Sequence, residues 1–121
     1  MARLHSPQAE FARRGFAQPT SAARIWQSWP DDVRAKVDLE WFAPAGDRFG
    51  ALHTLDTIVQ AERHPELLGD PGWARRVILV AGASSVLATA LGREEHLLDL
   101  LRDPPHPRSA DDWRRFFAQR L

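Results

Sequence analysis

Residues 77–92 limit the architecture of this chain more than any other stretch: sixteen residues in a row carry no charge. The run is short for a membrane span, which needs about 20 apolar residues. It also contains Ser84, Ser85 and Thr89, so it suits a buried helix better. Asp70-Pro71 upstream is a capping residue followed by proline at the first helical position. Gly92 supplies a stop at the other end. These signals predict one helix over about 71–91. Its stretch from Val77 onward has no polar face, and a helix that is apolar all round is covered by neighbours on every side. It is therefore expected at the centre of the fold. Ala81, Gly82, Ala83, Ser84 and Ser85 are small enough for another helix to approach closely.

The remaining segments read as helices that could cover it. Ser6-Pro7 opens a short one reaching about residue 17, with Phe11 and Phe16 on one face and Gly15 weakening it. Pro19 and Thr20-Ser21 restart the chain for a second over 22–29, broken by Trp29-Pro30. Asp31 and Asp32 favour the positive end of a third helix. Along it Val33, Val37 and Trp41 recur every four residues until Pro44-Ala45-Gly46. Asp47 caps a fourth helix running to about residue 63, with Phe49, Leu52, Leu55, Ile58 and Val59 at helical spacing. Residues 66–69 form a turn or a single helical turn. A leucine-rich helix follows over 93–102. Pro104, Pro105 and Pro107 make a stiff linker over 103–108. Ser109 with Asp112 resembles a capping box for a last helix over 110–120, whose buried stripe would be Trp113, Phe116 and Phe117. No segment has a convincing strand period. The expected fold is all-α, a single helical domain over 1–121. It is a compact bundle of roughly five to seven helices around the apolar 71–91 helix.

Composition excludes several classes of chemistry. The 121 residues can bury about two-thirds of the unfolded surface, so no covalent staple is needed. The absence of cysteine removes disulfides, thiolate zinc sites and a cysteine nucleophile. Sixteen basic and sixteen acidic residues cancel, so net charge does not argue for nucleic acid or anionic lipid. Charge is nevertheless uneven. Residues 1–30 hold Arg3, Arg13, Arg14 and Arg24 against Glu10, a net of +3, and residues 31–47 hold five acids against Arg34 and Lys36, a net of −3. The two stretches either attract each other within the fold or form two faces of a partner site. Arg3 is followed by no apolar region, so no signal peptide is read and a cytoplasmic location is expected.

The segment Val77 to Ser85 resembles the strand-to-loop opening of a short-chain dehydrogenase. That motif needs further glycines near pyrophosphate, and Val86 and Ala88 stand there instead. Phe49 to Asp56 resembles part of the histidine–aspartate phosphohydrolases, which need a later His-Asp doublet; the corresponding helix reads Val80-Ala81-Gly82-Ala83. His53, Asp56 and His64 lack a second ligand cluster, so no metal is expected. Ser84 and Ser85 have no nucleophile elbow around them. Arg48 and His53 have the Arg-x4-His spacing of the HEPN ribonuclease domains. That resemblance implies a metal-independent cleavage of RNA at a dimer interface. The histidine would serve acid–base catalysis and the arginine would stabilise charge in the transition state.

Residues 49–114 further resemble a bacterial family of all-helical proteins known only as a domain of unknown function. The matching residues are Ala51-Leu52, Leu55-Asp56, Val59, Trp73 with Arg75-Arg76, Gly92-Arg93 with Glu95, Arg102-Asp103 and Trp113-Arg114. The resemblance implies an all-helical fold and no activity. A small, cysteine-free helical chain without a catalytic constellation is expected to act by occupying a partner. The expected role is a non-enzymatic interaction protein: an inhibitor, immunity or antitoxin-like factor, or a small subunit of a larger complex. The partner is another protein or a second copy, with no cofactor and no membrane. Tryptophan and arginine are enriched at binding hot spots. Candidate contacts are therefore Arg13, Arg14, Arg24, Trp26 and Trp29, with Asp31, Asp32, Asp38 and Glu40 as an alternative acidic face. Alternatives are the Arg48–His53 ribonuclease and a nucleic-acid-associated assembly subunit.

Overall fold

The computed structural model describes residues 7–102 together with Asp111, Arg115 and Ala118. Among these the chain forms eight α-helices and one 3-10 turn, with no strand. They pack together as an all-helical bundle around one hydrophobic core cluster that extends from Phe11 to Leu101. The expected linker over 103–108 and the stripe Trp113, Phe116 and Phe117 lie outside the described residues.

Helix α1 (Pro7–Arg13) ends at Gly15, whose φ of +82° is the left-handed geometry glycine adopts without penalty. The turn lets Phe16 fold back edge-on against Phe11, ring centroids 4.9 Å apart. Helix α2 (Pro19–Ser28) starts three residues before the expected Ala22, because Pro19 occupies the first helical position. It stops where Trp29 turns extended before Pro30. Helix α3 (Asp31–Lys36) carries Asp31 and Asp32 in its first turn, as the sequence implies. It does not continue to Pro44. Val37 and Asp38 are extended, and the Asp38 carboxylate accepts the Glu40 N–H at 2.9 Å to start a 3-10 turn, Leu39–Phe42. A side chain that bonds nearby backbone in this way competes with the helix. Val33, Val37 and Trp41 are all buried nonetheless.

Helix α4 (Arg48–Gln60) is capped by Asp47, which accepts the Gly50 N–H at 2.9 Å. After α5 (His64–Leu68) comes α6 (Pro71–Ala83), capped by Asp70 on the Trp73 N–H. Helix α6 is the centre of the bundle, packed by α4, α5, α7 and the 3-10 turn.

The expected single helix over 71–91 is two helices. Ser84 is extended, with φ −158° and ψ 130°, and α7 (Ser85–Arg93) begins after it. Two bonds account for the break. The Gly82 carbonyl accepts the Asp47 N–H at 2.8 Å instead of continuing the helical ladder, and the Ser84 hydroxyl accepts the Leu87 N–H at 3.3 Å as an N-cap. The close approach expected at the small residues is real at Gly82, but its neighbour is the Ala45–Asp47 turn. A Cβ at Gly82 would lie 2.7 Å from the Ala45 Cβ.

Helix α8 (Glu95–Leu100) is separated from α7 by an extended Glu94, and the described Asp111, Arg115 and Ala118 are also helical. Side chains from other helices satisfy the carbonyls at these helix ends, the role basic residues often take there. Arg63 donates to the Gly92 carbonyl at 2.6 Å, Arg76 donates to Leu101 and Arg102 at 2.6 and 2.7 Å, and the Trp73 indole donates to Leu98 at 2.7 Å.

Candidate functional site

Arg48 and His53 are five residues apart on α4, about 140° round a helix of 3.6 residues per turn. They line two different clefts with no residue in common. The Arg48 guanidinium donates through Nη1 to the Arg14 carbonyl at 3.0 Å and through Nη2 to the Ala43 carbonyl at 2.8 Å, tying the end of α1 and the 3-10 turn to the start of α4, while its buried Nε has no hydrogen-bond partner among the described residues. Its side chain lies against Gly15, where a Cβ would collide with it. Within one copy of the chain, the two residues are therefore not assembled on one face. Asp56 is similarly engaged, accepting the Trp29 indole N–H at 2.8 Å and the Gln60 amide at 3.1 Å. No group of metal-ligating side chains large enough to hold an ion occurs among the described residues. No helix there is long and apolar enough to cross a membrane.

The N-terminal contact set divides by burial. Trp29 is only 1% exposed, and its ring packs 5.4 Å from Trp26. Its indole bond to Asp56 fixes α2 to α4, so it presents no surface for a partner. Trp26 is half-buried, 6.2 Å from Phe11. Arg13 and Arg14 both bind Glu10, and Arg14 reaches Glu40 at 2.6 Å. That last pair joins the basic and acidic stretches, as intramolecular attraction between them requires. The paired carboxylates hold the Arg14 guanidinium above its ordinary pKa, Glu40 contributing most, while the Arg14 hydrogen bond holds Glu10 below the usual carboxylate range. Arg24, Asp31 and Asp32 are exposed. Asp31 pairs with Arg34.

A different surface emerges between α4 and α7. The two helices enclose a groove of about 460 Å³ whose lining includes Phe49, His53, Thr54, Ser85, Thr89 and Arg93. Its outer shoulder is Val86, 68% exposed and the one large hydrophobic exposed among the described residues. Ser85, Thr89 and Arg93 continue from the groove onto that shoulder, with Ala90 and Glu94 beside them. The sequence hides this surface because Val86 belongs to the uncharged run and so reads as core. The signal available was the spacing of Ser85 and Thr89, four apart and hence on one side of a helix.

No family model matches the chain, no curated protein is significantly similar to it, and no solved structure matches its fold.

Proposed function

We propose that the chain is a non-enzymatic protein-interaction module: an inhibitor, immunity or antitoxin-like factor, or a small helical subunit of a larger complex. The observation that carries this reading is Val86. A large aliphatic side chain stands in solvent on the rim of a groove, beside Ser85, Thr89 and Ala90, with the charged Arg93 and Glu94 completing that surface. Large contiguous apolar patches rimmed by polar groups mark protein contacts, and we take Val86 together with Ala90 and the Phe49 and Ala88 lining of the adjoining groove as such a patch. Charged residues are depleted at the centre of such contacts, and Ser85, Val86, Thr89 and Ala90 fit that pattern. The ribonuclease alternative is less well supported, because Arg48 already serves two backbone carbonyls on another face.

The test is affinity purification from the native host with the wild-type chain, Val86→Glu and His53→Ala. The reading expects one stoichiometric partner, or a second copy of the chain, that is lost with Val86→Glu and kept with His53→Ala. Cleavage of RNA by the purified chain that disappears in His53→Ala would contradict it.

A further inference from the structure

Arg48 is a half-buried cation with no counter-ion among the described residues. Its two hydrogen-bond partners, the Arg14 and Ala43 carbonyls, are neutral. A guanidinium carries five N–H donors, and the Arg48 Nε is the one buried side-chain polar atom without a partner among the described residues. A charge drawn out of water is unfavourable unless an opposite charge faces it. The chain nevertheless makes room for this one. Gly15 has a φ of +82° and no side chain, and a Cβ there would collide with the Arg48 Nη1.

Other cations stand beside it. Arg13, Arg14 and Arg48 together line a cleft of about 230 Å³ between the end of α1, the 3-10 turn and the start of α4. Buried Phe16 and Phe42 also line it, and low-dielectric walls strengthen the attraction of an ion to the charges around it. The cleft is smaller than the range of about 300–1,000 Å³ usual for drug-sized ligands, and suits an ion. The acid on its lining is Glu40, whose carboxylate bonds Arg14 at 2.6 Å but is 69% exposed. Glu10 binds Arg13 and Arg14 from outside the lining. Three arginines against two glutamates leave one positive charge. Glu40 is thus a tethered anion at the mouth of a basic cleft, and an ion pair so exposed is displaced at little cost. His53 lines the other cleft and takes no part.

We propose that the cleft between α1, the 3-10 turn and α4 binds a phosphate dianion, free or as the terminal group of a monoester. The phosphate takes the place of the Glu40 carboxylate on Arg14 and supplies the negative charge that Arg48 lacks, with Arg13 at the rim. The planar fork of arginine matches phosphate oxygens in pairs, and such charge-assisted bonds are the strong ones. A dianion opposes two guanidinium groups at once, which the single charge of Glu40 does not. This site goes beyond the protein-contact reading and does not depend on it.

The experiment titrates the isolated full chain with inorganic phosphate and with phenyl phosphate, following backbone amide shifts. Sodium chloride holds the ionic strength constant, and the pH is mildly alkaline so that both ligands are dianions. At least one should saturate, with shifts centred on Arg14, Glu40, Ala43 and Arg48. Saturation by inorganic phosphate assigns the free ion, and saturation by phenyl phosphate alone assigns a monoester. Arg14→Gln should weaken binding about tenfold, the worth of one charged hydrogen bond. Glu40→Gln removes the tethered competitor and should tighten binding about two- to fivefold, matching the loss of one exposed ion pair. Because Glu40 is exposed and Arg14 keeps its Glu10 bond, this variant should fold as the wild type does. Glu66→Gln makes the same change of net charge at the Arg102 pair elsewhere on the surface and should leave binding unchanged. Saturation by neither ligand, shifts centred away from this cleft, no loss in Arg14→Gln, or equal effects of Glu40→Gln and Glu66→Gln would overturn the proposal. Because no partner protein is present, failure here leaves the partner purification unaffected, and the reverse also holds.

Discussion

The two halves of the uncharged run have nearly the same composition and different fates. In α6, Val77, Ile78, Val80, Ala81 and Gly82 are all buried, whereas in α7 Ser85, Val86 and Thr89 face solvent and only Leu87 and Leu91 are buried. Neighbours make the difference. Helix α6 has α4, α5, α7 and the 3-10 turn around it, and α7 has α4, α6 and α8 on one side only. Hydrophobicity alone therefore says that a segment can be buried; whether it is buried depends on what the rest of the chain supplies to cover it.

Identical substitutions in the two helices would separate them most sharply. Val80→Ala, in a fully buried position, should lower unfolding free energy by about 2–3 kcal/mol, while Val86→Ala should stay within about 0.5 kcal/mol, as measured by urea denaturation. Similar costs at both sites would erase the contrast. The junction between the helices comes next. Gly82→Ala places a methyl 2.7 Å from the Ala45 Cβ and 3.2 Å from the Asp47 carbonyl, and should cost about 1–3 kcal/mol by the same measurement. Ser84→Ala removes the cap that starts α7 and should cost about 1 kcal/mol, with Ser84→Asp restoring most of it. A Ser84→Ala variant as stable as wild type would mean that the break rests on the Gly82–Asp47 bond alone.

The smallest effect lies outside both helices. Glu10 has a lowered pKa in the folded chain because Arg14 bonds its carboxylate, so the unfolded state binds more protons in the acidic range. Its contribution is present above the ordinary carboxylate pKa and is lost as pH falls through the lowered value. Glu10→Gln should flatten that part of an acid-unfolding profile. The group is at the surface, so the change should be a small shift of the acid midpoint.

Much of the helical architecture could be read from local signals that have local causes. Asp47 and Asp70 cap as expected because a carboxylate bonding an N–H two or three residues on requires nothing from the rest of the fold. The breaks at Val37–Asp38 and at Ser84 are harder to anticipate. The first depends on a side chain outcompeting the helical ladder, and the second on a turn some 35 residues earlier donating to Gly82. Arg76 and Trp73 bind carbonyls at the end of α8. Arg63 and Arg48 make similar tertiary bonds to backbone. Such long-range bonds leave no periodic trace, so an arginine that holds a helix end looks the same in sequence as one offered to a ligand. This is also why Arg48 fits a catalytic spacing in the sequence while the folded chain spends its guanidinium on two backbone carbonyls.

The contrast between α6 and α7 can be measured directly because the chain contains no cysteine. Single Val80→Cys and Val86→Cys variants, treated with a thiol-reactive disulfide under native conditions, report the exposure of each site. Val86→Cys should react at close to the rate of a free thiol, and Val80→Cys only as fast as the bundle opens. Equal protection at both positions would mean that α7 is covered like α6 and presents no face to a partner, contradicting the account.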